Sequence, residues 1–120
     1  MHEDDEGRLD SAEQLAEHNP HTAAEAFSAI ACDQEVGDEV RLSAAEQLAA
    51  VEPRGAVKAF SAIARDEEVG DEVRLSAAEQ LAAVDPRAAA PAGLAIARDE
   101  EVGDEVRLSA AQLAALDPSA

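Results

Sequence analysis

Glu39-Val40-Arg41-Leu42-Ser43-Ala44-Ala45-Glu46-Gln47-Leu48 stands again, residue for residue, at positions 72–81. A third version, Glu105 to Leu113, lacks only the glutamate found at 46 and 79. The arginine in this string recurs as Arg8, Arg41, Arg74 and Arg107, at a spacing of 33 residues. Around the string the repetition is close. Residues 26–54 and 59–87 differ only at Cys32/Arg65, Gln34/Glu67 and Glu52/Asp85. Self-similarity at a fixed period of a few tens of residues marks a repeat architecture, in which each unit buries its apolar face against its neighbours.

Each unit reads as two helices. Asn19-Pro20, Glu52-Pro53, Asp85-Pro86 and Asp117-Pro118 each put a polar residue before a proline. Proline suits the first helical position, and Asn or Asp before it can cap the helix. A first helix, A, is predicted over 20–33, 53–66 and 86–99. The turn after it carries Gly37, Gly70 or Gly103, where glycine is expected to relieve a strained backbone. Asp38, Asp71 and Asp104 are then expected to cap a second helix, B, over 38–51, 71–84 and 104–116. Residues 8–18 align with helix B, because Leu9, Ala12 and Leu15 match Leu42, Ala45 and Leu48. The expectation is an all-α chain of about seven helices, an α-solenoid of antiparallel helix pairs. It has an acidic tail over 1–7 and one repeat domain over 8–118. The units are 8–40, 41–73, 74–106 and a partial 107–118.

Helical phase assigns the faces. On the B helix over 71–84, Val73, Ala77, Leu81 and Val84 fall on one side, widened by Leu75 and Ala78. Ser76, Glu79 and Gln80 fall opposite. Stacking repeats these polar positions as a ladder: Asp10, Glu13 and Gln14, then Ser43, Glu46 and Gln47, then Ser76, Glu79 and Gln80, then Ser109 and Gln112. On the A helix over 53–66, Ala56, Phe60, Ile63 and Ala64 form the core stripe, with Arg54, Lys58, Ser61 and Arg65 outside. Their counterparts His21, Glu25, Ser28 and Cys32 belong to the same outer face. In the third unit Gly93 replaces Phe60, with Pro91 before it and Leu94 beside it. A proline inside a helix kinks it, which is expected to swing Leu94 into the site of the missing phenylalanine.

With 120 residues and 47% apolar residues, the chain suffices for one domain with a modest core. Its aromatics are Phe27 and Phe60 alone, so close packing of alanine-rich helices must supply the core. The net charge is −18. Nucleic-acid backbones are bound by clustered Lys and Arg, so this balance speaks against nucleic acid and anionic membranes and favours a basic protein partner. A single cysteine excludes an intrachain disulfide, and the acidic start, Met1-His2-Glu3-Asp4, is not a signal peptide. No run approaches a membrane span. A reducing, cytoplasmic setting is expected.

The core of the repeated string, Val-Arg-x-x-Ala-Ala-x-x-Leu, resembles the second helix of HEAT repeats. Neither the ankyrin Thr-Pro-Leu-His pattern nor the Trp and Tyr of tetratricopeptide repeats is present. The short unit is similar to the compact bacterial HEAT form of phycobilin-lyase-like proteins. The resemblance implies a scaffold that binds proteins, or less often nucleic acids, along the concave face of its B helices, and the acidic charge speaks against nucleic acid here. It also implies an Asp before the turn that pairs with the helix B Arg of its own or a neighbouring repeat; Arg41, Arg74 and Arg107 match that Arg, and the turn offers several acidic partners.

Chemistry-bearing motifs are missing. His2, His18 and His21 lie close in sequence, but His18 and His21 straddle the Asn19-Pro20 break, and a metal site needs more ligands at fixed geometry. Cys32 has arginines at its repeat positions and no local base. There is no phosphate loop, metalloprotease helix, Ca²⁺ loop or nucleophile elbow. The expectation is a non-catalytic protein–protein interaction scaffold without cofactor or metal. Its partner-binding candidates are Glu13, Gln14, Ser43, Glu46, Gln47, Ser76, Glu79 and Gln80. The alternatives are an enzyme or lyase-like subunit and a structural, duplicated or designed array without a dedicated ligand. The C-terminal helix, mostly Ala and Leu, carries no polar cap, so self-association through the last repeat is expected if the array does not continue.

Overall fold

A computed structural model describes residues 5–115 and contains seven helices and no strand among them. They are α1 (Asp5–His18), α2 (Pro20–Ala31), α3 (Asp38–Val51), α4 (Pro53–Arg65), α5 (Asp71–Val84), α6 (Pro86–Ala97) and α7 (Asp104–Ala114). The expectations at His2, Leu116 and the Asp117-Pro118 pair lie outside the described residues. Each helix touches only the next helix and the next but one. The A helices α2, α4 and α6 therefore form one row, and the B helices α1, α3, α5 and α7 another.

The breaks between B and A helices follow from proline chemistry. Asn19 accepts the Thr22 N–H at 3.2 Å and Asp85 accepts the Arg87 N–H at 3.1 Å, each capping a helix that opens on proline. Glu52, whose longer side chain does not turn back in this way, makes no such bond. α1 starts at Asp5, three residues before the expected boundary. Asp5 and Glu6 are the counterparts of Asp38 and Glu39, and acidic residues in a first turn oppose the helix dipole favourably.

Two expectations about the A–B turns are corrected. Gly37, Gly70 and Gly103 have φ of −60°, −60° and −61°, so no strained backbone calls for glycine there. They are the N-cap residues of the B helices. Asp38, Asp71 and Asp104 do not cap their own helices. Asp38 instead accepts the Gly70 N–H at 2.9 Å and Asp71 the Gly103 N–H at 3.0 Å, each reaching one repeat ahead.

The core lies between the rows. Phe27, Ile30, Leu48, Phe60, Ile63, Leu81 and Ile96 are buried, with alanines filling the helix crossings. The A-helix stripe of Ala56, Phe60, Ile63 and Ala64 is buried as expected. The B-helix stripe is shifted. Arg74, Ala77, Ala78 and Leu81 are buried, whereas Val73 is half-buried and Val84, the last residue of α5, is exposed. Positions 74, 77, 78 and 81 follow the i, i+3, i+4, i+7 rule. An arginine occupies the first of them, and a polarity reading does not place an arginine inside.

The third unit also departs from expectation. α6 runs from Pro86 to Ala97 with Pro91 inside it, and Leu94 stays exposed rather than filling the phenylalanine site. That space is taken by α7. A Cβ at position 93 would lie 2.6 Å from the Ala110 carbonyl oxygen and 3.1 Å from the Ala114 nitrogen. Gly93→Ala should therefore cost about 1–3 kcal/mol through overpacking, although alanine favours an isolated helix by about 1 kcal/mol. Urea unfolding measures the sign, and a stabilised Gly93→Ala protein would contradict this close approach.

Candidate functional site

Two sets of residues recur in register, and the structure gives them different roles. The first is the buried arginine set. Arg41 and Arg74 are each 2% exposed. Burying a guanidinium is costly unless its donors are met. Arg41 Nε donates to the Ala31 carbonyl at 2.9 Å, and its Nη1 donates to Asp66 Oδ2 at 2.9 Å. Arg74 does the same with the Ala64 carbonyl at 2.9 Å and Asp99 Oδ2 at 2.8 Å. One arginine thus ties the A helix before it to the turn that follows the next A helix. Arg8 pairs with Asp33 at 3.0 Å in a looser setting, with side chains 30% and 32% exposed.

Each partner aspartate divides its oxygens. Asp66 Oδ1 accepts the Glu68 N–H at 3.0 Å while Oδ2 faces Arg41. Asp33 and Asp99 hold Glu35 and Glu101 in the same way. The acidic partner, left open among several turn residues by the sequence, is the first aspartate after each A helix. Asp and Glu both recur in every turn, so charge alone does not separate them, whereas the resemblance noted above points to an Asp before the turn. Only the short Asp side chain is seen closing a local N–H bond while meeting the arginine.

These contacts hold all three carboxyls below the usual carboxylate range. For Asp33 the chief cause is the Glu35 N–H, followed by Arg8. For Asp99 it is Arg74, followed by the Glu101 N–H. At Asp66 burial pushes the pKa up most strongly, and the Arg41 hydrogen bond and the Glu68 N–H together outweigh it. A carboxyl with a lowered folded pKa contributes stability that is present above its unfolded value, about 3.9, and lost as pH falls through the folded one. Thermal stability should therefore fall as pH drops below about 4. Replacing Asp66 and Asp99 by Asn should flatten that acid limb in a series of melts from pH 6 to 2.5. An unchanged acid limb in the double variant would count against the assignment.

The second set is the polar ladder on the B row. Glu13, Gln14, Glu46 and Glu79 are exposed, while Ser43, Gln47, Ser76 and Gln80 are half-buried. The ladder residues also meet each other. Gln80 Nε2 donates to Glu46 Oε2 at 2.7 Å, across α3 and α5, and to Ser76 Oγ at 3.3 Å. The glutamates stand outward on neighbouring helices, and the Ser and Gln positions lie in the seams between them.

On the A row, Arg54, Lys58, Arg65, Arg87 and Arg98 are exposed. Cys32 is exposed at the end of α2. His21 and Glu25 form an exposed pair at 3.8 Å. Among the described residues no cluster of His, Cys, Asp and Glu could hold a metal ion. No described helix is long and apolar enough to cross a membrane. The grooves in the surface are open and lined by repeat-type residues, such as Arg65, Glu67, Arg98 and Glu100 in one and His21, Glu25, Ser28 and Glu52 in another. Comparison with protein families, with characterised proteins and with solved structures found no match.

Proposed function

We propose that the protein is a non-catalytic protein–protein interaction scaffold, a HEAT-like α-solenoid that engages its partner along the face of α1, α3, α5 and α7. The observation that carries this reading is the register of Glu13, Glu46 and Glu79, which are exposed on successive contacting helices. A row of carboxylates at the spacing of packed helices favours a partner with basic residues at matching intervals, and helical repeats use extended surfaces in this way. The partner is a protein rather than nucleic acid, because the arginines on the B row are occupied with structure or sit at its end. With a lone exposed thiol and no disulfide, a reducing compartment such as the cytoplasm suits the chain.

The experiment is a comparison of charge reversals. A partner is captured from native lysate with the full chain, identified, and its affinity measured by calorimetry. Glu46→Lys with Glu79→Lys should weaken binding by at least tenfold, and more than Arg54→Glu with Lys58→Glu. The reverse order would move the site to the A row.

A further inference from the structure

The chain's positive charge is sorted between its two rows of helices. Of its nine Lys and Arg residues, four are the helix B arginines Arg8, Arg41, Arg74 and Arg107. The other five are Arg54, Lys58 and Arg65 on α4, Arg87 on α6, and Arg98 at the C-cap of α6. All five are exposed. Among the described residues none of them takes part in an ion pair. Neither α4 nor α6 contains an acidic residue. In a protein of net charge −18, these two helices form a surface of the opposite sign.

Helical phase aligns the five on one side. Arg54, Lys58 and Arg65 stand at i, i+4 and i+11 on α4. Arg87, Pro91, Leu94 and Arg98 stand at i, i+4, i+7 and i+11 along α6, and Pro91 and Leu94 are exposed between the two arginines. α4 and α6 pack against each other. Arg65 and Arg98 line one open groove together with Ala95. The same stripe on α2 reads His21, Glu25, Ser28 and Cys32, so the cationic surface stops there. Acid bounds both of its ends: Glu52 and Asp85 precede the two helices, and Glu67 and Glu100 follow them at the end of the groove.

We propose that α4 and α6 dock an acidic amphipathic α-helix of a partner protein, on the row opposite the exposed glutamates. The charges are complementary, and the dimensions select the occupant. Arginines eleven residues apart on one helix are about 16 Å apart along its axis. Axes of packed helices lie about 8–10 Å apart. The strip is therefore about three turns long and two helices wide, and a single helix of about 10–12 Å diameter covers it. An anionic membrane is much broader and would press its headgroups on Glu52, Asp85, Glu67 and Glu100 as well. Two copies of this chain, each at −18, repel one another. Pro91 and Leu94 supply an apolar centre inside a charged rim, the layout of a protein–protein interface.

The test titrates the full chain into a fluorescein-labelled peptide of about 18 residues, roughly 27 Å of helix. Leu fills its a and d positions, Glu its e and g positions, and Ala the rest. Anisotropy should show saturable one-to-one binding that weakens as salt is raised. Arg65→Gln with Arg98→Gln should weaken it about tenfold, because two charge contacts are lost. Leu94→Ser, which alters no charge, should also weaken it. Glu46→Gln with Glu79→Gln, on the B row, should leave it unchanged. Circular dichroism establishes that the variants are folded. Absence of saturable binding would overturn the proposal. So would equal binding of a peptide with the same residues in scrambled order, which would reduce the effect to charge attraction. Sedimentation with phosphatidylserine vesicles that is lost in the Arg65→Gln, Arg98→Gln protein would make the surface a membrane face. Self-association lost in the same variant would make it a contact between copies, and either result overturns the assignment.

Discussion

Arg74→Ala should destabilise the protein by about 3–5 kcal/mol, the cost of removing one partner from a buried ion pair. The truncation leaves Asp99 facing a cavity with only the Glu101 N–H to satisfy it, and it strips the Ala64 carbonyl of its Nε donor. Arg8→Ala should cost no more than about 1 kcal/mol, because Arg8 and Asp33 are about one-third exposed and water takes over their interactions. Arg107→Ala, which loses a carbonyl contact and no carboxylate, should cost about 1 kcal/mol. Chemical denaturation of the three variants tests the ranking. Similar losses at positions 8 and 74 would mean that the arginine contributes by helix packing and not by its charge.

Phe60→Ala should cost about 3–5 kcal/mol, the range for emptying a large aromatic site in a core. Phe60 is 1% exposed and sits on α4 between α3, α5 and the two flanking A helices. The chain holds only one other aromatic, Phe27, in the equivalent place. The surrounding alanines are too short to reach into the space, so relaxation recovers little. Since a domain of this kind is held by about 5–15 kcal/mol in all, this change should bring it near the edge of folding at 37 °C. Glu79→Ala, on the exposed side of α5, should stay within about 0.5 kcal/mol. Melting curves of the two proteins measured together decide the matter, and comparable shifts would invert the assignment of faces.

The contrast between Gly93 and Phe60 shows how a repeat tolerates variation. Position 93 is the structural counterpart of Phe60, yet its neighbours have closed in until no side chain fits. The unit keeps its helices by moving α7 inward rather than by finding a new residue for the old space.

Much of the architecture follows from the sequence alone. The 33-residue period, the prolines that open the A helices and the apolar stripes of α4 are local features, set by backbone chemistry and by which residues avoid water. They determined seven helices, their order and most of their limits. The Glu13, Glu46 and Glu79 row was legible too, because helical phase alone carries it outward. Tertiary structure decided what local rules do not encode. It put Arg41 and Arg74 inside, chose Asp66 and Asp99 as their partners from turns crowded with acid, and turned Asp38 and Asp71 from presumed caps of their own helices into links to the next repeat. Each of those outcomes depends on a group 10 to 32 residues away arriving within about 3 Å. Whether a buried charge is tolerable is a property of the groups that meet it, and they come together only when the repeats stack.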